Sequence, residues 1–176
     1  RDKSISHAYL FSGGRGTGKT TVARIFASEI GCKPSDLYEI DGASNRKIED
    51  IRELREAVQT LPFESPYKVY IIDEVHMLTK EAWNALLKTL EEPPEHVVFI
   101  LATTDKDRVP DTILSRCQTF TFRAPSQEEL KAFVIAMAKK ENLKLDAPSA
   151  DIIALFGDGS YRDTLSVLEK VLIGSK

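Results

Sequence analysis

The sequence feature that most constrains the fold is a loop of eight residues, Gly13 to Thr20, with the pattern G-x-x-x-x-G-K-T. An apolar run precedes this loop and a helical pattern begins near Lys19, so the loop is predicted to join a strand to a helix. Glycines let several backbone N–H groups converge on one anion, and the helix that follows adds the positive end of its dipole. The loop therefore predicts a phosphate-binding site.

Individual positions in this loop have distinct chemical roles. Lys19 is predicted to reach the β- and γ-phosphates of a nucleoside triphosphate, and the Thr20 hydroxyl to ligate Mg²⁺. A flexible surface turn is the alternative interpretation, but the strand and helix patterns on either side favour a phosphate loop. The residues predicted to contact the nucleotide are Gly13, Gly14, Arg15, Gly16, Thr17, Gly18, Lys19, Thr20 and Thr21.

Composition excludes several classes of protein. The chain has 176 residues, 42% of them hydrophobic and 29% charged, as in ordinary globular domains. It contains neither a signal-peptide pattern nor an apolar run of about 18 residues, so we expect a cytoplasmic protein without a membrane segment. The net charge of −3 means that any contact with nucleic acid needs a local basic patch. The chain begins without Met and ends after a helical pattern, so it is interpreted as a fragment.

The order of strand and helix patterns predicts an α/β fold. Short apolar runs alternate with helical patterns as far as residue 124, and only helical patterns follow. We predict a P-loop core with a five-stranded parallel sheet over residues 1–124 and a small three-helix lid domain over residues 125–176. The predicted strands are 7–12, 36–41, 68–72, 97–102 and 119–122. Predicted apolar helix faces consist of Val22, Ile25, Phe26 and Ile30 in the first helix, and Ile48, Ile51, Leu54, Val58 and Leu61 in the second.

Polar residues follow two of the predicted strands at the point where each strand ends. Asp73 and Glu74 follow four apolar residues, and Thr104 lies at the end of the next strand. The carboxyl ends of parallel strands form the ligand-binding edge of such a sheet. Asp73 is therefore predicted to help hold Mg²⁺, and Glu74 to act as the general base that polarises the attacking water. Ordinary turn chemistry is the alternative for this Asp-Glu pair. Thr104 could bind the γ-phosphate or the water, although threonine is common at strand ends.

Two arginines are further candidates for the site. Arg162 follows Ser160, a predicted N-cap, so it occupies the first turn of a helix, where the macrodipole opposes a cation. A bound anion would explain that placement, and a plain surface arginine remains the alternative. Arg116 follows a turn after the fourth strand, and the sequence leaves open whether it serves its own site or that of a neighbour.

Four segments together identify a family. They are HAYLFSGGRGTGKTT, VYIIDEVHMLTKEAWNALLKTLEEPPEHVVFILATTD, ILSRC and GSYRDTLSVLE, and they closely resemble the gamma/tau subunits of the bacterial DNA polymerase III clamp loader, which are AAA+ ATPases. The resemblance covers nearly the whole chain. It implies ATP and Mg²⁺ as cofactors, with Lys19 and Thr20 in Walker A, Asp73 and Glu74 in Walker B, Thr104 as sensor 1 and Arg162 as sensor 2.

The resemblance also implies a function and partners. In this family ATP binding drives opening of a sliding clamp and its loading on primer-template DNA during replication. The implied partners are the delta and delta-prime subunits, further gamma/tau copies, the clamp and DNA. Arg116 would be an arginine finger that completes the ATP site of the adjacent subunit. Lys47 and Arg52 match positions that face DNA, although a solvated helix face is the alternative for these charges.

The chain departs from the family pattern in three respects. The family usually carries a four-cysteine zinc module after the P-loop helix, whereas this sequence has two cysteines, Cys32 and Cys117, so we predict no structural zinc. As a fragment, the chain is expected to lack two further segments of the family: the one before the first strand that helps to hold adenine, and the collar domain that oligomerises the loader. We therefore expect the isolated fragment to be monomeric.

Two other functions are weighed against an ATP-hydrolysing motor. One is a stator-like clamp-loader subunit that keeps the fold but has lost hydrolysis; the intact Lys19, Thr20, Asp73 and Glu74 argue against it. The other is a different AAA+ DNA motor, such as a branch-migration helicase subunit. The Asp-Glu-Val-His box and the Leu-Glu-Glu-Pro-Pro run fit that class less well.

Overall fold

A computed structural model of the chain describes residues 5–45 and 47–174. The described chain divides into two compact units. The first contains the residues up to Ser12 together with Lys19–Thr121, and the second contains Gly13–Gly18 and the residues from Phe122 onward. The glycine loop thus groups with the C-terminal helices, although the chain continues from it directly into the first helix.

The predicted α/β fold with a five-stranded parallel sheet is confirmed. The strands are β1 (Ala8–Gly13), β2 (Leu37–Asp41), β3 (Lys68–Asp73), β4 (Val97–Thr103) and β5 (Gln118–Phe122). Their order in the sheet is β2-β3-β4-β1-β5. Every residue of β4 is buried, as expected for a central strand covered on both faces. This order places the carboxyl ends of β1, β3 and β4 side by side.

Seven α-helices accompany the sheet in the described residues. They are α1 (Lys19–Glu29), α2 (Ile48–Ala57), α3 (Lys80–Glu91), α4 (Asp111–Leu114), α5 (Gln127–Lys140), α6 (Ala147–Phe156) and α7 (Tyr161–Gly174). The last three pack against one another and match the three helices predicted after residue 124. Short 3-10 turns lie at Pro34–Asp36, Val75–Met77 and Lys106–Arg108. None of the helices among the described residues combines the length and apolar character needed to cross a bilayer.

Side chains cap the starts of two helices. The Thr79 side chain accepts a hydrogen bond from the Ala82 backbone N–H and caps α3. Ser126 and Glu129 form a capping box at the start of α5. These side chains satisfy N–H groups that the first turn of a helix leaves without partners.

The predicted apolar face of α1 is wrong at Val22 and Ile25. The buried residues of this helix are Lys19, Ala23 and Ala27, whereas Val22 is 40% and Ile25 56% exposed. Residues four positions apart lie on the same face of a helix, so Ala23 and Ala27 face inward together with Lys19. Alanines on that face allow α1 to lie close to β3 and β4, against which it packs.

The second helix also ends earlier than its apolar spacing suggested. Helix α2 stops at Ala57, and Leu61 is 76% exposed. The buried Lys68 ammonium donates hydrogen bonds to the Ala57 carbonyl and the Thr60 hydroxyl, at 2.9 and 2.7 Å. This lysine satisfies a carbonyl at the end of the helix, and the chain turns away before Leu61 can join the core.

Candidate functional site

Two oxygen-bearing side chains meet at the ends of β3 and α1. The Thr20 hydroxyl donates a hydrogen bond of 2.7 Å to Asp73 Oδ2. Lys19, one residue earlier, is 6% exposed. The structure therefore brings together the two residues that the sequence predicts as metal ligands, and it buries the lysine predicted to contact phosphate.

Glu74 lies one residue beyond Asp73 in an uncommon backbone conformation. Its φ is 46°, in the left-handed region that non-glycine residues seldom adopt. The turn Val75–Met77 begins immediately after it. The Thr104 hydroxyl donates to Glu74 Oε2 at 2.9 Å. The structure thus joins two predicted site residues, Glu74 and Thr104, which the sequence could place only at the same edge of the sheet.

Three residues near Glu74 have no predicted role: His76, Thr103 and Gly42. His76 Nδ1 lies 3.4 Å from Glu74 Oε2 and 2.9 Å from Thr103 Oγ1. The Gly42 backbone N–H donates to the Asp73 carbonyl at 2.8 Å. A Cβ atom at Gly42 would lie 2.9 Å from the carbonyl oxygens of both Asp73 and Glu74, so only glycine fits this approach. The sequence signal for Gly42 was a glycine directly after a predicted strand that parallels β3.

Gly16 of the glycine loop contacts the start of α7, and both lie in the second unit. Gly16 has a φ of 70°, and a Cβ atom there would overlap Ser160 and lie 3.4 Å from the Cβ of Arg162. The Gly16 carbonyl accepts a hydrogen bond of 3.0 Å from the Tyr161 backbone N–H. Ser160 also caps α7 by accepting from the Asp163 N–H at 3.1 Å. Arg162 is therefore carried by the turn that touches the phosphate loop.

The remaining predicted loop residues divide into internal and external positions. Thr17 is buried, and its hydroxyl donates to the Gly14 carbonyl at 2.9 Å, which closes the loop on itself. Gly18 has a φ of 97°, a conformation that favours glycine. Gly14, Arg15 and Thr21 are exposed, and Gly13 is half-buried. An internal hydrogen bond and a glycine thus fix the loop backbone, while Gly14, Arg15 and Thr21 are exposed to solvent.

Arg116 is held away from the predicted metal ligands. Its guanidinium donates to Glu91 Oε1 at 2.8 Å and to the Thr112 carbonyl at 2.7 Å. Its side chain is 33% exposed. Burial raises the pKa of the adjacent Cys117 thiol to about 11, so this cysteine is a packing residue in neutral solution. Among the described contacts, Arg116 does not join Thr20, Asp73 or Glu74.

The two residues predicted to face DNA lie on α2. Lys47 precedes the first turn of this helix and Arg52 lies within it, and both are exposed. The Lys47 backbone N–H donates to Asp50 Oδ2 at 3.0 Å. Acidic residues lie on the same helix, so the surface around the two cations carries charges of both signs.

Comparison with protein families gives one match that covers more than half of the chain. The model described as "DNA polymerase III, delta subunit" matches residues 34–126. This range includes β2 to β5 and therefore Asp73, Glu74, Thr104 and Arg116.

Curated relatives match almost the whole chain. DNA polymerase III subunit tau of Bacillus subtilis is 46% identical over 191 residues, covering 97% of this chain and 34% of the relative. DNA polymerase III subunit gamma of Buchnera aphidicola is 44% identical, covering 96% of this chain and 52% of the relative. The tau subunit of Escherichia coli is 42% identical, with 96% and 29% covered. The chain thus spans about half or less of the length of these relatives.

Solved structures share the fold. The Holliday junction branch migration motor RuvB of Thermotoga maritima superposes with a TM-score of 0.76 at 24% identity, covering 94% of this chain and 54% of the other. A DNA polymerase III gamma subunit-related protein from the same organism gives a TM-score of 0.71 at 24% identity, covering 96% and 54%. At this identity the likeness concerns the fold alone. The family model, which matches more than half of the chain, shows that the chain belongs to the DNA polymerase III delta-subunit family.

Proposed function

We propose that this chain is the ATP-binding and ATP-hydrolysing part of a motor subunit in the bacterial clamp loader. The observation that carries the proposal is the contact between Thr20 and Asp73, because it joins a hydroxyl from the phosphate loop to a carboxylate from the sheet edge. That pair is the Mg²⁺-binding set of P-loop nucleotide hydrolases. The 42% identity to the Escherichia coli tau subunit and 46% to that of Bacillus subtilis supports the clamp-loader context.

The geometry of the pair suits Mg²⁺. This ion takes oxygen ligands at about 2.0–2.1 Å in an octahedron, so adjacent ligands lie about 2.9 Å apart. The Thr20 and Asp73 oxygens are 2.7 Å apart and need little movement to become neighbouring ligands. Mg²⁺ prefers such hard oxygen donors and completes its shell with water and phosphate oxygens. The residues present therefore fit the metal.

Each residue of the cluster would have a defined task. Bound Mg-ATP supplies the phosphoanhydride bond that is cleaved, and its metal offsets charge that develops on the phosphate oxygens. Thr20 and Asp73 would hold the metal, and Lys19 would pair with the β- and γ-phosphates. Glu74 would accept a hydrogen bond from the attacking water and draw off its proton, while Thr104 keeps the carboxylate in place.

The lid would sense the nucleotide through Arg162. We assign residues 1–124 to the ATPase core and residues 125–176 to the lid domain. Arg162 lies at the start of α7, whose first N–H group donates to the Gly16 carbonyl of the phosphate loop. An anion bound at this loop would offset the unfavourable position of the cation near the positive end of the helix. The phosphate charge would thus favour one lid position.

In the assembled complex, an adjacent subunit would complete each ATP site. Arg116 is a partly exposed cation held by Glu91 at the end of α3, so it is available to an adjacent subunit. We propose that it acts as an arginine finger in the ATP site of that neighbour. The proposed partners are delta, delta-prime and further gamma/tau copies, the sliding clamp and primer-template DNA, with Lys47 and Arg52 contacting DNA phosphates.

ATPase measurement in the assembly tests this proposal and separates it from its alternatives. The protein that carries this chain would be reconstituted with candidate clamp-loader partners, a sliding clamp and primed DNA. A motor subunit should show ATP hydrolysis that both clamp and primed DNA stimulate. A stator-like subunit would contribute no turnover, and a different DNA motor would respond to DNA without the clamp; either result would overturn the proposal.

A further inference from the structure

A histidine that no predicted role includes lies at the centre of the carboxylate cluster. The His76 side chain is 10% exposed and projects from the short turn that follows Glu74. Its Nδ1 atom lies 2.9 Å from Thr103 Oγ1 and 3.4 Å from Glu74 Oε2. Thr104, the next residue after Thr103, donates to the same Glu74 oxygen at 2.9 Å. Thr103, the last residue of β4, thus contacts the histidine, and Thr104, which follows the strand, contacts the glutamate.

The protons of this cluster can be counted. The Thr103 hydroxyl has one proton and donates it to the Asp105 carbonyl at 3.0 Å. The same oxygen accepts the Asp105 backbone N–H at 3.0 Å. With the hydroxyl proton donated to the Asp105 carbonyl, the short contact with His76 is a hydrogen bond in which a protonated Nδ1 donates. The same nitrogen lies 3.4 Å from Glu74 Oε2.

The glutamate needs such support more than an ordinary surface carboxylate does. Its side chain is 35% exposed, and glutamate loses considerable rotamer freedom when it is fixed in one position. Its backbone lies in the left-handed region, with a φ of 46°. Thr104 supplies one hydrogen bond to Glu74 Oε2 at 2.9 Å, and the imidazole supplies a second contact with the same oxygen at 3.4 Å.

We propose that His76, oriented by Thr103, is a positioning residue that holds the Glu74 carboxylate ready to activate water. The inference rests on the proposed ATPase function and deepens it. His76 contacts Glu74 and Thr103, and in this role it acts through the glutamate without touching substrate. Thr103 fixes which imidazole nitrogen bears the proton, as the orienting partner does for catalytic imidazoles in other enzymes.

A set of variants separates positioning from mere structural support. His76→Asn keeps an amide N–H close to the position of Nδ1, and His76→Leu keeps bulk without a donor. We expect His76→Leu to lower the single-turnover rate of ATP hydrolysis by about 10-fold to 100-fold, because small misplacement of catalytic groups has effects of this size. The dissociation constant of a fluorescent ATP analogue should stay unchanged, and His76→Asn should restore most of the rate.

The control is His96→Leu, which removes a half-buried histidine that contacts the Val58 and Thr60 carbonyls instead. Its hydrolysis rate should match the parent. Equal losses in His76→Asn and His76→Leu, or a parallel loss of ATP affinity, would overturn the proposal. In a Glu74→Gln background His76→Leu should have no further effect, because the two residues act as one unit; an added loss would also contradict it.

A spectroscopic measurement tests the proposal without relying on turnover. Nitrogen-15 NMR of the histidine side chains should show the neutral His76 ring protonated at Nδ1, and Thr103→Val should weaken that preference. A ring protonated at Nε2 in the parent would overturn the inference even if His76→Leu failed to fold. Failure of the proposed function itself would look different, since the parent protein would then bind or hydrolyse no ATP.

Discussion

The Thr20 hydroxyl and the Asp73 carboxylate lie 2.7 Å apart although 53 positions separate them in the chain. The contact links the first turn of α1 to the end of β3. It exists because the parallel sheet brings the carboxyl ends of its strands to one edge, where the phosphate loop also ends. The proposed metal site is therefore a consequence of the strand order.

Replacement of Asp73 should affect metal-dependent binding alone. Asp73→Asn keeps an oxygen that can accept from Thr20 but removes the negative charge that attracts Mg²⁺. We expect affinity for Mg-ATP to fall by about 10-fold or more, a size typical of lost metal support, while affinity measured in a chelator stays unchanged. Titration of a fluorescent ATP analogue with and without Mg²⁺ measures both. Asp107→Asn, at an exposed carboxylate of the same unit, is the control. Equal losses in both conditions would contradict a metal role.

Arg116 should matter only in the assembly. Arg116→Ala should leave the nucleotide affinity of the isolated subunit intact and slow hydrolysis in the assembled complex by about 10³-fold or more, as removal of arginine fingers does. Glu91→Gln is the matched control, because it breaks the same ion pair and keeps the arginine. Steady-state ATPase rates and ATP titrations test both variants. A large affinity loss in the isolated Arg116→Ala subunit would place the residue in its own site instead.

Arg162 should couple the nucleotide to the lid. Arg162→Ala removes the cation at the start of α7, and we expect it to abolish most of the lid movement that ATP induces. A pair of fluorophores, one on the core and one on the lid, would report that movement. Lys170→Ala changes an exposed cation on the same helix and should respond like the parent. An unchanged response of Arg162→Ala to ATP would reject the assignment.

Asp36 should make stability depend on pH. Its buried carboxylate accepts backbone hydrogen bonds from Phe63, Glu64 and Ser65, at 2.6, 3.0 and 3.0 Å. Burial raises the pKa of this carboxyl, but the hydrogen bonds from Glu64, Phe63 and Ser65 outweigh burial and lower the pKa to about 2. The folded value lies below the unfolded value of about 3.9, so the stabilisation is full above about pH 4 and is lost as the pH falls towards 2.

The Asp36→Asn variant tests this relation. It should unfold more easily than the parent at pH 7, and its free energy of unfolding should fall less steeply between pH 4 and pH 2. Denaturant unfolding at several pH values measures both effects. Asp107→Asn should follow the parent curve. Parallel curves for Asp36→Asn and the parent would show that this carboxylate does not carry the dependence.

The sequence was sufficient for the sheet and for the chemical groups at its edge. A loop such as Gly13 to Thr20 has few folded solutions, and apolar runs that end in Asp73 or Thr104 indicate parallel strands with polar tips. Local rules also sufficed for the helix caps at Thr79 and Ser126, since capping depends on residues three positions apart.

Other features depend on tertiary contacts that spacing does not encode. Helix α1 buries the face that contains Lys19, and not the face that contains Val22 and Ile25. The early end of α2 depends on Lys68, which reaches back from the next strand. The proposed role of His76 depends on its contacts with Glu74 and with Thr103 of β4. No pattern within a single segment shows such pairs before the fold is known.

Hydrolysis by a Glu74→Gln variant tests the central claim most directly. Glutamine keeps an oxygen that can accept from Thr104 but cannot take a proton from water. In single-turnover experiments with the protein in its assembled complex, we expect the hydrolysis rate to fall by about 10²-fold or more. Its affinity for ATP should remain within about twofold of the parent. Hydrolysis at the parental rate would contradict the assignment of Glu74 as the base and, with it, the proposed site.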